Sequence, residues 1–317
     1  TNATPISFVA DGSAPTGGAL TVAGTPGTSG GATVATNSAL FSGSYTDFDA
    51  DAGSGFASSV LVRETATLAS GSCGSFGNSS TITSISESAL ATGCYRYTLT
   101  GTDNVGNTSV LRTIVQVDVT APRVVVTENG ANSVKSGSTI YYRGDLASSL
   151  TLAAAVTDAA SGAASATLPD VATTGWTHNA ETISSAASTS GTTKTYNSSN
   201  FSWTASPSNP GSYTVTGTDA AGNTGTSAVT FTSDTTGPTG GTLTVDGVAA
   251  TSDGTAVRVI TDEEDNFSGS KTNYSADAGS GYASTTLTRE VSTSSSCQSF
   301  SSLTTISSIS EKGPQDA

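Results

Sequence analysis

The chain has 317 residues, a formal charge of −14 from 25 Asp and Glu against 11 Lys and Arg, no Met and a single His. That length sets a prior of two or three domains, and the acidic surface excludes an affinity for nucleic acid or anionic membranes. Apolar runs such as Val124-Val125-Val126 fall far short of the ~20 residues that cross a bilayer, so no membrane insertion is expected. Catalysis built on histidine would rest on His178 alone, and the chain carries no Gly-x-Ser-x-Gly elbow, zinc-type His pair or phosphate loop. Its carboxylates recur once per repeat, as structural groups do and catalytic ones rarely do, so the expectation is not an enzyme.

In chain order, Ile6-Ser7-Phe8-Val9 is a short strand signal close to a connector, and Ile114, Val115, Val117 and Val119 form a β-branched run. Leu150, Leu152, Ala154 and Val156 place apolar side chains at every second position, as do Tyr213, Val215 and Gly217. Period 2 with Thr and Val enrichment marks half-buried strands, and no window sustains a 3.6-residue period. The fold class is all-β. In the middle of the chain the pattern places strands at 123–127, 139–143, 149–157, 163–168, 193–204, 211–219 and 226–234.

Repeats divide the chain. Residues 41–64, FSGSYTDFDADAGSGFASSVLVRE, return at 267–290 as FSGSKTNYSADAGSGYASTTLTRE, and Cys73 has its counterpart in Cys297. A weaker repeat at about half that period aligns Tyr97-Thr98-Leu99-Thr100-Gly101-Thr102-Asp103 with Tyr213-Thr214-Val215-Thr216-Gly217-Thr218-Asp219. Connectors ending in Pro follow, at Asp118-Val119-Thr120-Ala121-Pro122 and Asp234-Thr235-Thr236-Gly237-Pro238, with Asp11 to Pro15 as a third copy. The expected organisation is the last strand of an upstream repeat at 1–13, a unit at 14–120, a divergent unit at 121–236, and a truncated relative of the first at 237–317. Units of ~110 residues with closely spaced strands fit a seven-stranded Greek-key sandwich.

Asp-x-x-Ser-Gly before a strand, then Gly-x-Tyr-x-Val-x-Gly-Thr-Asp-x-x-Gly-Asn, then Asp-x-Thr-x-Pro, resembles the bacterial Ig-like repeats of large secreted and cell-surface proteins. The resemblance implies immunoglobulin-like sandwiches arranged end to end, neighbouring repeats as the first partners, and an extracellular, adhesin-type stalk. The alternative, second to the stalk, is an array of modules binding a surface glycan or protein, in a secreted enzyme or adhesin.

Cys73 and Cys94 fall in one unit, and the third unit ends before a counterpart of Cys94, so a Cys73–Cys94 disulfide is expected with Cys297 single. That pairing implies an oxidising compartment. In an Ig-like sandwich the loops bearing Asp51, Asp158 and Asp277 share one end with those bearing Asp103 and Asp219, and the connector residues Asp11, Asp118 and Asp234 reach that end from the preceding unit. Calcium at these domain junctions is one reading of the eight aspartates. Ordinary turn formation beside glycine is the other. Pro210-Gly211-Ser212-Tyr213 has the form of a tyrosine corner, or of a core Tyr. Trp176 and Trp203 are expected in the core; exposed, they would favour the glycan reading.

Overall fold

The computed structural model describes residues 6–254, 266–292 and 300–312. Cys297 and the acidic run Asp262–Asp265 lie outside the described residues. All the regular elements described are strands.

The strand Gly93–Asp103 is the spine of the first unit. Its residues alternate in burial, with Tyr95, Tyr97 and Leu99 facing inward, because successive side chains of a strand point to opposite faces. It pairs antiparallel with Thr108–Val117 on one side and Phe56–Ala66 on the other. Ala32–Thr36, parallel to Thr108–Val117, and Gly77–Thr81 close the two edges. A second sheet runs in the order Thr25–Pro26, Ala19–Val22, Phe41–Thr46, Ile85–Glu87. Leu20, Val22 and Ile85 from this sheet meet Leu61, Tyr97, Leu99 and Val115 from the other in one apolar cluster.

The strands from Arg123 to Ser233 repeat the plan with their own cluster. One sheet has Ser148–Thr157 at its centre, flanked by Arg123–Asn129, Thr193–Asn197 and Phe201–Trp203. The other sheet contains Thr139–Tyr142, Thr224–Ser233, Gly211–Asp219 and Ala163–Leu168 in that order, again with one parallel pair. From residue 237 onward, Thr242–Val245, Asn266–Thr272 and Ile309–Lys312 reproduce the order of the second sheet of the first unit, and Thr288–Val291 pairs with Ser301–Thr305. Tyr274, the counterpart of Phe48, is 44% exposed where Phe48 is 5%.

The structure differs from the sequence reading at several places. The stretch 193–204 is two strands, broken at Ser198, whose amide donates to the Leu152 carbonyl while its Oγ accepts from the Leu152 amide at 2.8 Å. Short strands at Ser133–Ser136, Trp176–Thr177, Glu181–Ile183 and Ser188–Ser190 were not foreseen, because two to four residues carry no readable period. Residues 6–13 carry no strand pairing, and Ile6, Phe8 and Val9 are exposed. Tyr213 Oη donates to the carbonyl of Pro169, 44 residues upstream, so it ties two distant segments. The short-range corner belongs to Tyr95, whose Oη donates to the carbonyl of Ala91, four residues back, at 2.9 Å. Trp176 and Trp203 are both buried, and their Nε1 groups donate to the carbonyls of Ser208 and Arg143.

Cys73 and Cys94 form a disulfide with Cα atoms 5.8 Å apart. It fastens a small hairpin, Leu68–Ala69 paired with Ser72–Cys73, to the spine strand.

Candidate metal centre

The acidic residues converge because the folded plan repeats. The loop between Phe41–Thr46 and Phe56–Ala66 meets the loop after Gly93–Asp103 beside the connector residue Asp11, and the loop between Ser148–Thr157 and Ala163–Leu168 meets the loop after Gly211–Asp219 beside Asp118. Asp118, Asp158 and Asp219 place one carboxylate oxygen each within 4.8 Å of one another, as do Asp11, Asp51 and Asp103. All three members of the first set are buried, Asp118 completely. Asp234 and Asp277 are joined through Ser280, whose amide donates to Asp234 Oδ2 at 2.6 Å, but no third acidic residue joins them among the described residues.

Local hydrogen bonds explain the spacing. In Asp-x-x-Ser-Gly the aspartate folds the loop around itself: Asp158 Oδ1 accepts from the amides of Ala160 and Gly162 at 3.0 and 2.7 Å. Asp51 Oδ2 does the same for Gly53 and Gly55, and Asp277 Oδ1 for Gly279 and Gly281. The Ser amide then turns outward to the connector, Ser161 to Asp118 Oδ2 at 2.9 Å and Ser54 to Asp11 Oδ2 at 2.5 Å. Asp103 and Asp219 each accept two amides on Oδ1 and the side-chain amide of Asn107 or Asn223 on Oδ2. Those two asparagines also donate to the connector carbonyls of Asp11 and Asp118. They were overlooked as site residues, although the repeated Gly-Asn pair was the signal.

One oxygen in each centre is left over. Asp51 Oδ1 is buried with no hydrogen-bond partner, although carboxylate oxygens of Asp11 and Asp103 lie close by. The equivalent Asp158 Oδ2 has no hydrogen-bond donor among the described residues. Burial, together with the charges of Asp118 and Asp219, pushes the Asp158 carboxyl above its usual range. Burial acts on Asp118 in the same direction, but donors from Ser161 and Thr120 outweigh it and hold that carboxyl below the usual range. Asp11 is lowered by the amides of Ser13 and Ser54. Each centre therefore contains charged oxygens in close reach, with neither Lys nor Arg among the hydrogen-bond partners just described. A set of three carboxylates, without His or Cys, is the ligand chemistry that suits a hard cation.

The sole histidine is a core side chain. His178 stacks on Phe201 at 3.6 Å between ring centroids, with Nδ1 3.4 Å from Ser199 Oγ and Nε2 3.8 Å from Glu181. Burial lowers its pKa, which favours the neutral ring as core packing.

No protein-family model matches the chain, and no curated protein matches it. Among solved structures, the chain is similar to a 1.5-MDa bacterial ice-binding adhesin at 18% identity, over 96% of this chain and 88% of that one, with a TM-score of 0.30. It is similar to the fibronectin(III)-like modules of CbhA from Clostridium thermocellum at 13% identity, over 67% and 92% of the two chains, with a TM-score of 0.26. A Ca2+-stabilized adhesin of an Antarctic bacterium aligns at 20% identity over 94% and 66%, with a TM-score of 0.26. Superpositions this loose carry no functional argument.

Proposed function

We propose that this chain is a segment of an extracellular stalk, built of tandem immunoglobulin-like Greek-key sandwiches with calcium at the junctions between them. The units are taken as 14–120, 121–236 and 237–317, with 1–13 belonging to a preceding repeat. Two features support the Ig-like reading: each of the first two units pairs a sheet against a second sheet, and each contains one parallel strand pair. The disulfide fits an oxidising compartment. Buried Trp176 and Trp203 leave no indole for stacking on sugars, which favours a stalk over a glycan-binding array.

The observation that carries the calcium reading is the buried, unpartnered Asp51 Oδ1 beside Asp11 and Asp103. A buried carboxylate oxygen without a donor is costly, and two neighbouring negative charges add repulsion. A cation bound by the connector aspartate of one unit and two loop aspartates of the next removes both costs and bridges the units. Extracellular sites of this type have dissociation constants of about 0.1–1 mM. A few millimolar calcium then contributes on the order of 1–2 kcal/mol per site. The test is thermal melting and small-angle scattering of the chain in calcium and in a chelator. A higher midpoint and a fixed, extended maximum dimension in calcium are expected. Identical values in both would reduce the aspartates to turn residues.

A further inference from the structure

The hairpin that carries Cys73 is the only pair of strands in the first unit that joins neither of its two main sheets. Its turn residues, Ser70 and Gly71, both have positive φ, 49° and 73°, the geometry of a two-residue hairpin turn. Such a turn leaves its two amides free to point outward. Here they donate to the next unit: Ser70 N to the Ala159 carbonyl at 3.0 Å and Gly71 N to the Ala160 carbonyl at 2.8 Å. The Ala160 methyl completes the contact by packing with Leu68 and Cys94 in a small buried cluster, with Cys73 and Phe76 at its margin.

We propose that this disulfide-anchored hairpin is a docking arm whose partner is the Asp158–Gly162 loop of the following, cysteine-free unit, and that the disulfide holds the joint rather than the unit. A hairpin with two-residue strands is not stable alone. Apart from its chain ends, this one is tied to the body of the unit by the disulfide, by Gln116, whose Nε2 donates to the Gly71 carbonyl at 3.0 Å, and by Leu68 packing in the small cluster around Cys94. The partner loop is adapted to it. Position 160 is Ala, whereas the equivalent residues of the other two loops are Gly53 and Gly279, where a Cβ would strike the carboxylates of Asp11 and Asp234. The armed loop therefore sits slightly farther from its connector aspartate, with Ser161 N 2.9 Å from Asp118 Oδ2 against 2.5 Å for Ser54 N to Asp11 Oδ2, and presents a methyl to the arm. In accord with this cover, all three aspartates of the armed junction are buried, against one of three at the junction of Asp11.

Reduction tests the arm. An external dithiol supplies two electrons and two protons and closes to its own disulfide; the Sγ–Sγ bond breaks, and Cys73 and Cys94 become thiols. Amide hydrogen exchange is followed on the full chain in chelator, which keeps the outcome independent of whether calcium binds. On reduction the amides of Ser70, Gly71 and Ser161 are expected to exchange at least tenfold faster, while those of Gly93–Asp103 keep their protection. Unchanged exchange at Ser70 and Gly71 would overturn the proposal. So would a loss that spreads equally through Gly93–Asp103, since the disulfide would then be holding the unit. Ala160→Glu, with the disulfide intact, is expected to loosen the same arm amides from the partner's side. If it leaves them protected, the arm does not dock on that loop.

Discussion

A single carboxylate shows how one residue serves both turn and junction. Asp158 uses Oδ1 to hold the amides of Ala160 and Gly162, and that role needs an acceptor but no charge. Asp158→Asn keeps the acceptor and replaces the leftover oxygen with an amide that can donate to Asp118 or Asp219. In chelator at pH 7 the variant is expected to melt no lower than the parent, and to lose the calcium-induced rise at this junction. The pH dependence has a definite sign. The folded pKa of Asp158 lies above the ordinary value of 3.8, so its ionisation opposes folding, and that opposition is relieved as pH falls through the folded pKa. Any advantage of the variant therefore shrinks on acidification. Asp118 has the opposite sign: its lowered pKa contributes stability above 3.8 that is lost as pH falls through the folded value. Melts of the variant and parent in chelator at pH 7 and pH 4 separate the two effects. A variant that melts well below the parent at pH 7 would mean that the charge itself is stabilising.

At the scale of elements, the spine strands show what a sequence can display. Alternation along Tyr95, Tyr97 and Leu99, and along Tyr213 and Val215, is readable because ten or so residues give several periods. The glycine ending each run, Gly101 and Gly217, is part of the same inward face: a Cβ at Gly101 would overlap the Phe48 ring, and at Gly217 the side chains of Val124 and Val156. Gly101→Ala and Gly217→Ala are each expected to destabilise by about 1–3 kcal/mol through overpacking, measurable by chemical denaturation. Values near zero would show that Phe48 or the valines can move aside. The recurrence of aspartates was equally visible in the repeats, and so was the pairing partner of Cys73. The arm was not. Leu68–Ala69 and Ser72–Cys73 are too short for a period, and their partner Ala160 lies in a different unit, a contact that exists only once both units have folded. The break at Ser198 was hidden for a related reason: a serine within an apolar alternation reads as an outward residue, whereas its Oγ replaces a backbone acceptor for Leu152.

On the scale of the whole molecule, the two connectors are unequal. The first is fastened at both ends, at Asp118 and Pro122, around the exposed residues 119–121. Asp118 N donates to Thr36 O, Val119 N to Thr92 Oγ1, and Asn223 Nδ2 to Asp118 O, while Pro122 is buried beside Gly225. The docked arm adds two further hydrogen bonds across this joint. The second connector begins in the same way, with Asp234 N donating to Tyr142 O and Asp234 Oδ2 accepting from Ser280, but residues 235–240 are all exposed. Proteolysis requires a segment that can leave the surface and extend into a protease, so it reports local opening. A broad-specificity protease at low dose is therefore expected to cut within 235–241 first and to release one fragment containing both apolar clusters, identified by mass spectrometry. Reducing the disulfide should then expose 118–123 as the second site, since the arm no longer restrains that joint. A first cut within 118–123 of the oxidised chain would show that the fastened connector is the weaker link, and that the chain opens where its carboxylates are most deeply buried.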